Sequence, residues 1–333
     1  MSIVLLTGGT GFLGRHVAAT LIDRGLRVHA IVRREDPDLA ALGVRQFVGD
    51  LLTGDALAEA AVGATFAVHC AGKVSRKKSD AEELQRLHVE GTARVLDACE
   101  AAGVSKVVVA STSGVVAVSE DPDAVAVEDD ATPMAILARF PYYRSKYFAE
   151  TRALGRNRDG FSVVSVNPTL RLGPGDVHGS STEDVRLFLE RKIPFAPWGG
   201  LSFVDARDAA EGIVLALERG RGGARYLLGA QNITFAAFFE RLGRISDRTA
   251  PLLPLPRLPS TLFTEAEKLE KTLDRWGIKF PVDPGSLELG QYTWYLDASR
   301  AENELGWSPR DPMETLLATV NDLYERGVVW PDA

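Results

Sequence analysis

A chain of 333 residues, 45% hydrophobic and 25% charged, can bury a large core and has the composition of a folded α/β protein rather than a disordered one. Its net charge of -7 is spread without any basic block, which argues against nucleic acid or an anionic membrane surface as a partner. Two cysteines, Cys70 and Cys99, sit in apolar stretches and the five histidines lack ligand spacing, so neither a disulfide framework nor a metal is expected. With no leader ahead of the first strand and no apolar run of membrane-spanning length, the expectation is a cytoplasmic protein with reduced, buried thiols.

The chain begins with an apolar run, Ile3-Val4-Leu5-Leu6, followed at once by Thr7-Gly8-Gly9-Thr10-Gly11-Phe12-Leu13-Gly14. An amphipathic segment carrying Val17, Leu21 and Ile22 comes next and ends at Gly25, which predicts a strand, a tight turn and a helix. Glycines in that context let the chain turn, let the backbone approach a pyrophosphate, and let the helix pack against the sheet. The loop therefore reads as a dinucleotide-binding loop at a helix N-terminus. Strand signals recur at 3–6, 27–32, 44–48, 66–69, 106–110 and 162–166. Helical signals fall between them, most clearly over 80–102, where Leu84, Leu87, Val95 and Ala98 repeat at helical spacing. This alternation predicts a doubly wound parallel sheet with a smaller C-terminal lobe. Residues 1–168 form the dinucleotide-binding part, segments near 200–230 return to it, and 169–333 are mainly the substrate lobe. A proline-rich stretch at 251–256 is expected to be an irregular connector.

The second chemical signal is Tyr142-Tyr143-Arg144-Ser145-Lys146, which puts Tyr142 and Lys146 one turn apart on one helix face. A phenol ionises near pH 10, so it serves as a proton shuttle at neutral pH only when a nearby cation favours its anion, and Lys146 can supply one. The apolar strand 106–110 delivers Ser111-Thr112-Ser113 to its C-terminal end, where open α/β sheets bind ligands.

With these motifs in place, the sequence from about residue 3 to 327 resembles the extended short-chain dehydrogenase/reductases, also called the NAD-dependent epimerase/dehydratase family. The resemblance rests on the TGGTGFLG loop, Gly49-Asp50-Leu51, His69-Cys70-Ala71-Gly72, Ser113 and the Tyr142/Lys146 pair. It extends to Asn167-Pro168-Thr169, Gly173-Pro174-Gly175-Asp176, Phe203-Val204-Asp205-Ala206-Arg207-Asp208 and Glu304-Leu305-Gly306-Trp307. Within the family the chain is most similar to the dihydroflavonol reductase-like branch, which includes the hopanoid-associated sugar epimerase group. The resemblance implies a Rossmann fold, Tyr142 as general acid/base, Lys146 on the nicotinamide ribose, where it also lowers the tyrosine pKa, and Ser113 orienting the reacting carbonyl. The cofactor would meet Gly8, Thr10, Gly11, Phe12, Leu13, Gly14, Asp50, Leu51, Ala71, Gly72 and Ser111. Tyr142, Lys146, Asn167, Pro168 and Thr169 complete that set.

About 20 residues after the glycine loop an acid binds the ribose of NAD, whereas an arginine accommodates the extra phosphate of NADP. Arg33 occupies that position, so NADP(H) is preferred, with NAD(H) as the alternative if Glu35 or Asp36 reaches the ribose. His88 stands where the family usually has an asparagine. It is expected to be a packed residue rather than a proton relay.

Ser113 is followed by Gly114-Val115 instead of the Asp-Glu pair of sugar-nucleotide dehydratases, and Ser165-Val166-Asn167 lacks the Tyr-Phe-Asn run of sugar-nucleotide epimerases. The expected activity is therefore reduction of a ketone or aldehyde, or its reverse. An epimerase of a sugar or nucleotide sugar is the alternative, and a non-catalytic dinucleotide sensor the second. Expected substrate contacts are Lys73, Val74, Val115, Thr169, Arg171 and Phe203, with Pro197-Trp198-Gly199-Gly200 as a wall or lid. The expected partner is a small carbonyl or alcohol substrate, and the resemblance implies a homodimer through two helices per subunit.

Overall fold

The computed structural model describes residues 2–250, 255–259, 262–263, 265–266, 269 and 284–330, so the first four residues of the proline-rich stretch 251–256 lie outside it. In chain order the strands are β1 (Ile3–Thr7), β2 (Arg27–Val32), β3 (Arg45–Val48), β4 (Ala64–His69) and β5 (Lys106–Ala110). They continue with β6 (Ser162–Pro168), β7 (Leu170–Leu172), β8 (Gly200–Asp205), β9 (Arg225–Leu228) and β10 (Gln231–Thr234). Seven of them make one all-parallel sheet in the order β3-β2-β1-β4-β5-β6-β9. This is the predicted doubly wound α/β arrangement. Its central strands are near-continuous apolar runs because helices cover both faces of the sheet. A second sheet, β10-β8-β7, pairs β8 parallel with β7 and antiparallel with β10.

The longer helices are α1 (Phe12–Asp23), α2 (Gly91–Ala101), α3 (Pro141–Leu154), α4 (Glu183–Leu189), α5 (Ala206–Arg219), α6 (Phe235–Ser246) and α7 (Pro312–Glu325). Helix α1 packs on α5 across one face of the sheet. Helix α5 and strand β9 return from the later half of the chain to the main sheet, whereas β7, β8, β10, α6 and α7 enclose a separate core around Phe203, Phe238 and Leu316. The single helix expected over 80–102 is three joined pieces: an α-helical turn Ala81–Gln85, a π-helical turn Arg86–Glu90 and then α2. The wide turn carries His88 inward and shifts the helix phase, which a strict 3.6-residue period does not anticipate.

Among the described residues no helix is long and apolar enough to cross a membrane, and no cluster of His, Cys, Asp or Glu could hold a metal ion. Cys70 is half-buried, Cys99 is buried, and neither is bridged.

Trp307 closes the core under α5. It is 2% exposed and donates its indole N–H to the Asp208 carbonyl at 2.8 Å, while the Asp208 carboxylate accepts from Arg310. Trp307→Ala removes this packing and leaves a cavity, so it is expected to lower the unfolding free energy by about 3–5 kcal/mol in urea titrations. A loss below about 1 kcal/mol would show that the closing segment contributes little.

Candidate active site

The strand order reverses direction between β1 and β4, and the first glycine loop opens there. Gly8 has φ of +75°, which an L side chain rarely adopts. A Cβ on it would come within 2.5 Å of the Ala71 amide nitrogen, and one on Gly14 within 2.0 Å of the Gly8 carbonyl oxygen. The loop is folded so tightly on itself and on the end of β4 that only glycine fits at these two positions. The result is a backbone-lined cradle at the N-terminus of α1, the geometry that receives a pyrophosphate. Two further observations fit a dinucleotide there. The hydroxyls of Ser111, past the end of β5, and Thr169, past the end of β6, are buried without a protein partner. Ala71 and Gly72 follow β4 on the same edge. Phe12 and Leu13 enter the core from the first turn of α1, Thr10 holds the loop through its carbonyl, and Leu51 is buried past β3, whereas Asp50 is exposed and accepts the Leu52 amide at 2.7 Å.

Sequence reading missed Arg15. Its guanidinium donates to the Thr10 carbonyl at 3.2 Å and pairs with Asp36 and Asp38 at 2.6 Å each, clasping the glycine loop to the segment after β2. The other carboxylate oxygen of Asp36 caps the short helix Pro37–Ala41 by accepting from Asp38 and Leu39. Arg33 is exposed beside this clasp.

Helix α3 starts with Pro141 in its first turn, where a missing N–H costs nothing, and this start sets Tyr142 and Lys146 against the ends of β5 and β6. Burial pushes the Tyr142 phenol above its ordinary value, opposed by the Arg171 charge and by the Thr112 and Arg171 side chains beside it. Lys146 is not among the groups that act on this hydroxyl. Its Nζ donates to the Ala110 carbonyl at 2.8 Å, and burial, with the Arg171 charge beside it, lowers it from 10.5 to about 8. Ser113 sits in a tight turn, Ser113–Val115, at the edge of the cleft, and no described residue engages its hydroxyl.

Asn167 and Pro168 are not at the cleft. Asn167 is fully buried at the heart of a polar junction: its Nδ2 donates to the Thr112 carbonyl at 3.0 Å and to Glu150 at 2.7 Å, and its Oδ1 accepts from Ser165. Glu150, on α3, also pairs with Arg225 of β9. Asn167 thus fastens the Ser111–Ser113 segment to α3 from behind, and the expected cofactor contact is corrected to this. Pro168 pairs with Leu228 as the last residue of β6.

His88 acts as a brace. Its Nε2 accepts the Lys73 amide N–H at 3.1 Å, so Nδ1 carries the proton and donates to Ser145 Oγ at 2.8 Å, which in turn donates to the Tyr142 carbonyl at 2.8 Å. Burial holds the imidazole neutral, with its pKa near 2.

In front of Tyr142 lies a cleft of about 970 Å³, bordered by Phe140, Tyr143, Leu187, Phe195, Phe239 and Trp294 among others. Tyr143 stacks on Trp294 with ring centres 4.7 Å apart. A Cβ on Gly114 would sit 2.3 Å from the Tyr143 ring, so the residue after Ser113 must be small to admit this wall. Val74, Thr169 and Arg171 line the cleft as expected substrate contacts would, and three other expected contacts do not. Lys73 turns away into ion pairs with Asp80 and Glu83. Val115 is fully buried in the main core, and Phe203 is fully buried against Phe238 in the second one. Pro197 reaches the cleft, while Trp198 lies under the Arg257 guanidinium. Trp294, distant in sequence, supplies the aromatic wall instead.

Lys146 is charged to pH 10.5 in an unfolded chain but only to about 8 in the fold, so the native state carries the strain of a buried ammonium below pH 8 and sheds it as pH rises. Lys146→Met is therefore expected to raise the unfolding free energy at pH 7 by up to about 3 kcal/mol, with the gain shrinking above pH 8. Denaturant titrations at pH 7 and pH 9.5 check this. A variant less stable than the parent, or a gain that grows with pH, contradicts it.

The chain is similar to known proteins. The model of the NAD dependent epimerase/dehydratase family matches residues 4–229. A Synechocystis protein provisionally named a dihydroflavonol 4-reductase is 34% identical over 97% of this chain and 95% of its own. Sterol demethylase protein B of Methylococcus capsulatus is 29% identical over 98% of this chain and 99% of its own. The crystal structure of gox2253, 29% identical, superposes with a TM-score of 0.84 over 99% of this chain and 100% of that one. The chain belongs to the NAD-dependent epimerase/dehydratase family, the extended short-chain dehydrogenase/reductases.

Proposed function

We propose that the protein is an NADP(H)-dependent reductase of an apolar ketone or aldehyde, or catalyses the reverse oxidation. The observation that carries this reading is the large, mostly apolar and aromatic cleft that opens directly onto Tyr142 and Ser113. Such walls favour a hydrophobic body over a hydrated sugar, and the names of the reductase-like and sterol-related relatives agree with that preference.

A bound nicotinamide supplies or accepts the hydride; the protein's own groups do the rest. Ser113 and Tyr142 hydrogen-bond the carbonyl oxygen and orient it. Tyr142 gives its hydroxyl proton to that oxygen as negative charge develops, or removes it in the reverse direction. The Arg171 charge beside the phenol offsets the effect of burial on it. Lys146 offers an ammonium at the end of β5 to the ribose hydroxyls of the cofactor, and the His88–Ser145 brace fixes the first turn of α3. The glycine loop takes the pyrophosphate, and Ser111 and Thr169 have unused hydroxyls for the rest of the dinucleotide.

Preference for NADP over NAD follows from the charge arrangement after β2. Asp36, the acid best located to bind a ribose diol, is already committed to Arg15 and to its helix cap, while Arg33 is exposed beside it and can take a phosphate.

Arg33→Ala is expected to reduce the NADPH-over-NADH ratio of kcat/KM by about 10-fold or more, through the NADPH value. An unchanged ratio sets the phosphate elsewhere. Tyr142→Phe is expected to cut turnover by at least about 100-fold while NADPH affinity, read by fluorescence titration, stays within a few-fold. Retained turnover rejects Tyr142 as the acid. The activity itself is tested by following NADPH oxidation with a panel of hydrophobic ketones and, separately, nucleotide sugars. Stoichiometric NADPH loss with ketones supports the reductase. Epimerised sugars without net cofactor loss reject it, and binding without any turnover favours a sensor.

A further inference from the structure

We propose that Arg15 sets which dinucleotide the site accepts: by neutralising the acid after β2, it turns a corner suited to ribose hydroxyls into one suited to a ribose phosphate. The inference rests on the NADP(H) reading and names the residue behind it.

The segment after β2 is folded directly onto the glycine loop, since a Cβ on Gly9 would lie 3.3 Å from Leu39 Cδ1. Arg15, at the end of the first turn of α1, spans the two. Its Nε donates to the Thr10 carbonyl, its Nη2 to Asp36 Oδ2 and its Nη1 to Asp38 Oδ2, the last two at 2.6 Å. The two acids differ in weight. Asp38 is 76% exposed, so water screens it with or without a partner. Asp36 is only 12% exposed, and its charge depends on Arg15 for compensation. The rest of Asp36 is tied down as well. Its Oδ1 accepts the Asp38 and Leu39 amides at 3.1 Å each, and its backbone N–H and carbonyl are both held by the Gln46 side-chain amide at 2.8 Å. Asp36 is thus fixed at this corner, and Arg15 decides what its Oδ2 can do.

A bare carboxylate accepts hydrogen bonds from a ribose diol and repels a phosphate carried on either hydroxyl. Paired with a guanidinium, the same carboxylate has Oδ2 occupied and its charge cancelled. Arg15 spends three of its five N–H groups on the clasp, and one on each terminal nitrogen has no partner among the described residues. With the exposed Arg33, these supply donors for a phosphate.

The test is fluorescence titration of the substrate-free protein with NADPH and with NADH. The parent is expected to bind NADPH more tightly. Arg15→Met keeps an apolar stem and removes the charge, so NADPH affinity falls at least about 10-fold while NADH affinity holds or rises. Adding Asp36→Asn to Arg15→Met removes the uncovered charge, which recovers most of the NADPH loss and abolishes any NADH gain. Asp36→Asn alone retains a good helix cap and leaves NADH affinity within about two-fold, because Arg15 already keeps Asp36 from the ribose. Equal weakening of both cofactors in Arg15→Met is the result of a merely loosened loop and overturns the proposal. A loss of NADH affinity of about 10-fold in Asp36→Asn alone also overturns it, by putting Asp36 on the ribose despite the clasp. A parent that prefers NADH rejects the NADP(H) reading; a further shift toward NADH in Arg15→Met still upholds the role of Arg15, and no shift rejects both.

Discussion

The geometry of the candidate site hangs on one buried polar junction. Asn167 is fully enclosed, yet it ties its own strand, where it accepts from Ser165, to two segments distant in sequence: the Thr112 carbonyl before Ser113 and Glu150 on the helix that carries Tyr142 and Lys146. Glu150 continues the chain to Arg225 on β9, and Arg225 to the Glu128 carbonyl. Asn167 and Glu150 are desolvated, so each must find its partners or cost the fold dearly, and the arrangement of β5, β6, β9 and α3 supplies them. A hydrophobic contact in this place would tolerate sliding. The hydrogen-bonded junction does not, which is what the proposed meeting of the Ser113 and Tyr142 hydroxyls on one carbonyl oxygen requires.

Around it the molecule divides its chemistry by side. On one edge of the main sheet the glycine loop, clasped by Arg15, presents backbone and positive charge for a dinucleotide. Against it the second sheet and its helices present aromatic and aliphatic walls, with charged and hydroxyl residues such as Asp184 and Ser181 among them. Tyr142, Ser113, Lys146 and Arg171 stand at the seam. The cost of that position is visible in the titrating groups: burial pushes Tyr142 up, brings Lys146 down to about 8 and keeps His88 and His69 neutral, near 2 and 3. Stability is held down here and recovered in the apolar cores.

Much of the fold was legible because its signals are local. Strand runs, the glycine loop and helix periodicity depend on residues within a few positions of each other, and six of the seven main-sheet strands lie within a few residues of where they are read from the sequence. Tyr142 and Lys146 were legible for the same reason, sharing one helix face. What escaped depends on distance. Arg15 reads as an ordinary helix residue until Asp36 and Asp38 fold over it; Trp294 joins Tyr143 from across the chain; and Gly114 signals only the absence of an acidic pair until the rings it admits are seen. Val115 beside Ser113 and Phe203 in the second lobe are both turned into cores, because position in the chain does not decide which way a side chain points. Asn167 carried a real signal, but its role follows from burial, which periodicity alone does not supply.

The measurement that tests this account most directly follows deuterium from the transferable position of NADPH. The purified protein is mixed with cell metabolite extract and the labelled cofactor, and products are searched by mass spectrometry. The account predicts an apolar alcohol bearing one deuterium, formed with loss of NADPH. A sugar nucleotide that changes configuration while the label stays on the cofactor would contradict it.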